Sequence, residues 1–248
     1  MITRPERDRV LKNEYSSVLD KVTQAIKKLR LIEDGDSILA AVSGGKDSLS
    51  MLHFLDYLRS NEIFDFRLIA CNVDLGFTCA NREELKKHFE AFGIEYYFTT
   101  NDIMKGKSRK DIGCFWCAWS RRKALFKAAN EKECNKVSLG HHLDDIIHTT
   151  MLNMLFHGEI STSPPKLEFL KASVTLIRPL CHVKEDETKG LAKMLKLPVP
   201  HCNCPRKPGS KRALMKEISD PIFDQFPEAR DNFLKALTDA KKESVANG

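Results

Sequence analysis

Apolar side chains along this chain recur with two different periods. Tyr15, Val18, Leu19, Val22, Ala25, Ile26 and Leu29 fall at helical spacing, so residues 14–30 read as an amphipathic helix. "EDGD" ends that pattern, and "SILAAVS" (37–43) follows as a continuous apolar run, the signature of a strand buried on both faces. Helical spacing returns in "SLSMLHFLDYLRS". "FRLIACNVD" (66–74) then predicts a second strand, "NREELKKHFEAFG" a helix, and "EYYFTT" (95–100) a third strand. Beyond these, the pattern predicts a helix over 118–131, a strand at "KVSLG" (136–140) and a helix at "DDIIHTTMLNMLF". A strand at "VTLIRPL" (174–180) and a short helix at "DETKGLAKMLK" complete the series.

Such alternation predicts an α/β domain with a parallel sheet and helices on both faces. The expected segments are an N-terminal helical piece (1–33), the α/β domain (34–197) and a cysteine-bearing, basic C-terminal helical extension (198–248) packed on it. Ligands of parallel sheets bind beyond the carboxyl ends of the strands. Ser43, Asp74, Gly140 and Arg178 are therefore expected along one edge.

With 42% hydrophobic and 30% charged residues, the chain has the balance of a globular protein rather than a disordered one. No apolar stretch approaches the roughly 18–20 residues of a membrane span, and "MITRPERDRVLKNE" is too charged for an export signal. A cytoplasmic protein with no membrane partner is expected. In that compartment eight cysteines argue for metal binding or catalysis rather than a disulfide framework. Cys71, Cys79, Cys134 and Cys181 are solitary and read as small buried apolar residues. Cys114/Cys117 and Cys202/Cys204 form two close pairs.

"AVSGGKDSLSML" (41–52) joins the first strand to a helix. It is not a Walker loop, because Ala40 stands where that motif needs glycine and Asp47 where it needs Ser or Thr. Glycines here allow close approach of an anion to main-chain N–H groups, Lys46 adds a point charge, and Asp47 is a candidate magnesium ligand. A serine-capped turn without ligand fits the same residues. "GHHLDD" (140–145) places Gly140, His141, Asp144 and Asp145 between a strand and a helix, where carboxylates also suit the helix dipole. Asp74 fits either a nucleotide contact or turn initiation. The C-x-x-C pair fits half of a zinc site, completed by the downstream pair, or part of an iron–sulfur site. "MKGKSRKDIGCFWCAWSRRK" and "CPRKPGSKRALMK" are strongly basic around these cysteines. With Phe115, Trp116 and Trp119 interleaved they suit RNA, although either tryptophan fits a core position equally well.

S-G-G-K-D-S after an apolar strand resembles the PP-loop of the N-type ATP pyrophosphatases. Together with "GHHLDD", "SPPKLEF", "IRPL", the central C-x-x-C and "CPRKPGSKR", it makes nearly the whole chain similar to the tRNA 2-thiocytidine synthetases. That resemblance implies an adenine nucleotide alpha hydrolase-like fold. It also implies ATP and Mg2+, with Ser43, Gly44, Gly45, Lys46, Asp47, Ser48, Asp74, Gly140 and His141 at the nucleotide, and Asp47, Asp145 and Lys46 catalytic. Asp47 and Asp145 would hold magnesium. A [4Fe–4S] cluster would rest on Cys114, Cys117 and Cys204, with Cys202 as an alternative third ligand. Arg121, Arg122, Arg178, Lys211 and Arg212 would contact tRNA. The implied reaction adenylates the C2 oxygen of an anticodon-loop cytidine and replaces it with sulfur from a donor such as a cysteine desulfurase; a homodimer is implied by the same analogy. Other PP-loop tRNA-modifying enzymes, of the thiouridine or lysidine type, share the loop but not this cysteine set. A zinc-stabilised RNA-binding protein without catalysis is the reading from a different class.

Overall fold

A computed structural model describes residues 2–76, 81–103, 112–169, 173–200 and 210–246. They form helices α1 (Arg4–Lys12), α2 (Ser16–Lys28), α3 (Lys46–Ser60), α4 (Arg82–Ala91), α5 (Cys114–Glu131), α6 (Leu143–His157), α7 (Glu185–Met194), α8 (Lys211–Gln225) and α9 (Ala229–Ala246). The strands are β1 (Asp36–Ala41), β2 (Phe66–Asp74), β3 (Glu95–Thr100), β4 (Lys136–Leu139), β5 (Lys166–Phe169) and β6 (Val174–Ile177). The chain divides into two units. Unit 1 comprises Met1–His142 with Pro165–Pro205, and unit 2 comprises Leu143–Pro164 with Arg206–Gly248. This division groups α6 with the C-terminal helices and keeps the N-terminal helices with the sheet.

Unit 1 holds a six-stranded sheet in the order β3-β2-β1-β4-β6-β5. All neighbours pair in parallel except β5 with β6. Alternate residues of the central strands serve two cores. Ile38, Ala40, Leu68 and Ala70 join a cluster with Leu11 of α1, Val22 of α2, Leu52 of α3, Phe89 of α4 and Leu191 of α7. Leu39, Ile69, Cys71 and Val137 join the second cluster with Leu125, Ala128 and Ala129 of α5. Burial on both faces is why these strands read as continuous apolar runs rather than as alternation. The expected parallel sheet with helices on both faces is what the structure shows.

Three elements depart from the sequence pattern. α1 is too charged to show a stripe: only Arg7, Val10 and Leu11 of it are buried, and Arg7 reaches the core through an ion pair with Asp56 at 2.8 Å. β5 is a four-residue edge strand with two exposed positions, so it carries no apolar run. α5 starts at Cys114, four residues before the expected helix, which places the C-x-x-C in its first turn.

Strand order reverses beside β1, whose neighbours are β2 and β4. In open α/β sheets such a switch point opens a crevice at the carboxyl edge. Ala41, at the end of β1, lies in register with Cys71 of β2 and Leu139 of β4, so the loops that leave β1 and β4 emerge side by side.

Candidate active site

The loop after β1 is built around its glycines. Gly44 adopts φ +88°, a left-handed conformation that other residues enter only at a cost. Gly45 is the extended N-cap of α3 and supplies no side-chain cap to the helix. The first turn of α3 thus directs main-chain N–H groups at the loop, the arrangement that binds phosphate oxygens. Two serines hold its shape. Ser48 Oγ donates to the Gly45 carbonyl at 2.9 Å and lies 3.2 Å from Ser43 Oγ, and the Gly45 N–H donates to Ser43 Oγ at 3.3 Å.

Asp47 stands at the centre of a charged group. Lys46 Nζ lies 2.8 Å from its Oδ1, Thr188 Oγ1 donates to the same oxygen at 2.5 Å, and His142 Nε2 is 3.9 Å away. Lys46 also meets Glu185 at 3.1 Å. Burial pulls the Lys46 ammonium down, but the Asp47 and Glu185 carboxylates outweigh it and hold it above its ordinary value. Glu185 and Thr188, one turn apart on α7, do not belong to either motif. Their signal was a threonine placed on the apolar stripe of that helix, where Leu191 and Ala192 are also buried.

Gly140, in the loop after β4, packs against the first turn of α3. A Cβ at Gly140 would lie 2.9 Å from both N and Cα of Ser48 and 3.0 Å from the carbonyl carbon of Asp47. Only a residue without a side chain lets the two loops approach this closely. Next to it, His141 Nδ1 accepts from Arg178 Nε at 3.2 Å. An accepting Nδ1 fixes the imidazole proton on Nε2.

The second expected feature begins at Gly113, the extended N-cap of α5. Positions 114 and 117 share one face of the first turn of α5, and the Cys117 thiol is half-buried. By contrast, Cys71 and Cys181 are fully buried, and desolvation pushes both thiols up to about 12. Cys134 is also buried and raised by desolvation. These three are inert core residues, as their solitary positions suggested, while Cys79 lies outside the described residues.

The PP-loop domain family matches residues 15–199. The tRNA-cytidine(32) 2-sulfurtransferase of Syntrophotalea carbinolica is 37% identical over 234 residues, covering 89% of this chain and 90% of that one. Its counterpart from Geobacter metallireducens is 34% identical over 233 residues, covering 92% and 91%. This chain belongs to the tRNA-cytidine 2-sulfurtransferase family of PP-loop enzymes. Among solved structures, the U34-tRNA thiolase NcsA from Methanococcus maripaludis, solved with its [4Fe-4S] cluster, superposes with a TM-score of 0.72. It is 24% identical, with 90% of this chain and 78% of that one covered, a likeness of fold.

Within this PP-loop family member, the remaining expected residues fall into different settings. Asp74 accepts the Gly76 N–H at 2.8 Å and lies 3.8 Å from Arg82, the geometry of a turn-initiating aspartate. Arg178, expected at tRNA, is instead only 4% exposed, so it is an internal cation that orients His141. Burial, with Arg122 nearby, pulls it down to about 10. Arg121 and Arg122 lie exposed on α5. In unit 2, Asp145 and Arg212 meet at 2.5 Å, so the expected magnesium ligand and the expected tRNA contact are partners of each other. Lys211 Nζ stands 4.1 Å above the Phe156 ring. Asp144 is buried against Arg230 at 2.7 Å and is a structural ion pair. Cys202 and Cys204 lie outside the described residues, and among the described residues no three His, Cys, Asp or Glu side chains cluster as a metal site. Among the same residues no helix is long and apolar enough to cross a membrane.

Proposed function

We propose that this chain is an ATP-dependent tRNA-thiolating enzyme. It adenylates the C2 carbonyl oxygen of an anticodon-loop cytidine, releasing pyrophosphate, and sulfur then displaces AMP from the activated carbon. The observation that carries this reading is the approach of Gly140 to Ser48, which joins the loops after β1 and β4 at the switch point of the sheet. In this reading the N–H groups of the α3 first turn receive the pyrophosphate oxygens, and Lys46 offsets their charge. Asp47, held by Thr188, supplies a carboxylate to magnesium, which commonly takes one or two protein carboxylates plus phosphate oxygens. His141 offers an Nε2–H donor to a phosphate oxygen.

Cys114 and Cys117 in the first turn of α5, with Cys204 as a third thiolate, fit a group that takes soft sulfur ligands. Bound there, a [4Fe–4S] cluster would supply a Lewis-acid iron with affinity for sulfur. The chain's own part is to hold the thiolates, and to present the cytidine beside them from the basic surface of α5. A cysteine desulfurase is the proposed source of sulfur, and a thiol reductant supplies the two electrons that bring its persulfide sulfur to the sulfide level that displaces AMP.

Anaerobically purified protein tests both halves. We expect brown protein with iron and sulfide that Cys117→Ser and Cys204→Ala lose, and tRNA-dependent AMP release that Asp47→Ala abolishes. Colourless protein with stoichiometric zinc overturns the cluster. Undiminished AMP release by Asp47→Ala overturns the role of the loop.

A further inference from the structure

Helix α5 exposes an unusual surface. Phe115 is 82% exposed, Trp116 is 47% exposed and Trp119 is 42% exposed. The two indoles stack, with centroids 4.9 Å apart and planes 22° from parallel. Lys123 Nζ stands 5.3 Å from the centre of the Trp119 ring. Positions 116, 119 and 123 follow helical i, i+3, i+7 spacing, so they form one ladder of two rings and a cation along a single stripe. Arg121 and Arg122 lie exposed beside it. The ladder begins at Trp116, between the two cysteine positions of the C-x-x-C. Further along α5, Ala124 is buried and Leu125, Ala128 and Ala129 join the core, so the helix itself is anchored.

Exposing two indoles and a phenyl ring to water is unfavourable unless something covers them. The chemistry of the patch selects the partner. A lipid surface calls for aliphatic side chains, and between Phe115 and Lys123 the exposed residues are aromatic, basic or alanine. Unpaired nucleotides present flat π-faces and phosphates, which match stacked rings flanked by cations. We infer that the Trp116–Trp119–Lys123 ladder, with Phe115, is the stacking surface for an unpaired nucleotide of the tRNA anticodon loop, held beside the cysteine pair. Arg121 and Arg122 take the adjoining phosphates. This inference rests on the tRNA-thiolation reading and adds to it the residues that seat the loop.

The two ladder residues Trp116 and Trp119 are the only tryptophans of the chain, so indole emission reports this surface alone. The experiment titrates the holoenzyme with an RNA hairpin carrying an unpaired loop, with a blunt duplex of the same stem, and with anionic phospholipid vesicles. The expected result is saturable quenching by the hairpin and none by the duplex. Trp116→Ala should weaken hairpin binding roughly 5- to 150-fold, and Trp116→Phe should restore most of it. Both variants lie on an exposed helix face and should keep the wild-type circular dichroism. Hairpin binding without quenching, or equal affinity of Trp116→Ala and wild type, overturns the inference. Quenching by vesicles and not by hairpin would assign the surface to lipid and also overturn it. If wild type thiolates tRNA with a KM that Trp116→Ala leaves unchanged, only the ladder assignment fails. If wild type neither binds nor thiolates tRNA, the underlying reading fails with it.

Discussion

Replacing Gly140 with alanine should damage the active site through a single methyl group. The added Cβ would meet Ser48 N and Cα at 2.9 Å and the Asp47 carbonyl carbon at 3.0 Å, all main-chain atoms that cannot rotate away. Ordinary contact starts at 3.4 Å, so full relief needs the loop after β4 and the first turn of α3 to separate by 0.5 Å (3.4 less 2.9). The parallel pairing of β1 with β4 resists that separation, because Ala41 is fixed in register with Leu139. Overpacking of this kind costs about 1–3 kcal/mol. For a chain of this size that is a fall in Tm of roughly 2–12 °C. Activity should suffer more than stability, since a displacement near 1 Å in a catalytic loop can cost about 100-fold. The assay pairs thermal unfolding with tRNA-dependent AMP release at a temperature where the variant is fully folded. Gly35→Asn is the control: it lies at the amino end of β1 at φ +85° with open space around it, and asparagine tolerates that conformation. Wild-type Tm and wild-type AMP release in Gly140→Ala would refute the close approach on which this reasoning depends.

Thr188→Val removes a hydrogen bond to the Asp47 carboxylate, worth about 1.5–3 kcal/mol of stability, and should lower both Tm and, through Asp47, AMP release; an unchanged kcat would show that Asp47 needs no such support. Asp56→Ala leaves the buried Arg7 without its 2.8 Å partner and should destabilise unit 1 by about 3–5 kcal/mol in urea unfolding. The His53–His88 pair, with Nε2 atoms 2.9 Å apart in the core, should make stability depend on pH. Burial pushes His88 down to about 4 and His53 well down from the ordinary 6.5, with the charge of His88 adding to the effect on His53. The unfolded state then binds more protons below pH 6.5, so the contribution is complete above that pH and is lost as pH falls towards 4. For His88 alone the loss is on the order of 3 kcal/mol. His88→Phe should flatten the acid limb of a denaturation series, and an unaltered limb would show that the pair does not govern it.

The sheet was legible in the sequence because its strands are buried on both faces, and uninterrupted runs such as "SILAAVS" have few other uses. What escaped was structure that depends on partners far along the chain. α1 is held by an arginine buried against Asp56, and no apolar stripe advertises that contact. The glycine loop and the second histidine–aspartate loop could be read from residue types alone. Glu185 and Thr188 left no more than a threonine in an apolar stripe, because their role exists only once α7 is laid against α3. Nor does sequence spacing reveal that Arg178 is internal. An arginine at the end of a strand looks the same on paper whether it faces solvent or, as here, orients a histidine.

Every residue of α3 from Ser48 to Leu58 is buried. The helix that carries the glycine loop is therefore not a surface element that can be displaced while the rest stays folded. Its amide hydrogens should exchange with solvent only through opening of the whole unit, at the slowest rates in the protein. The glycine loop then behaves as a fixture of the core, set when the chain folds, and adjustment to different substrates must come from residues outside α3.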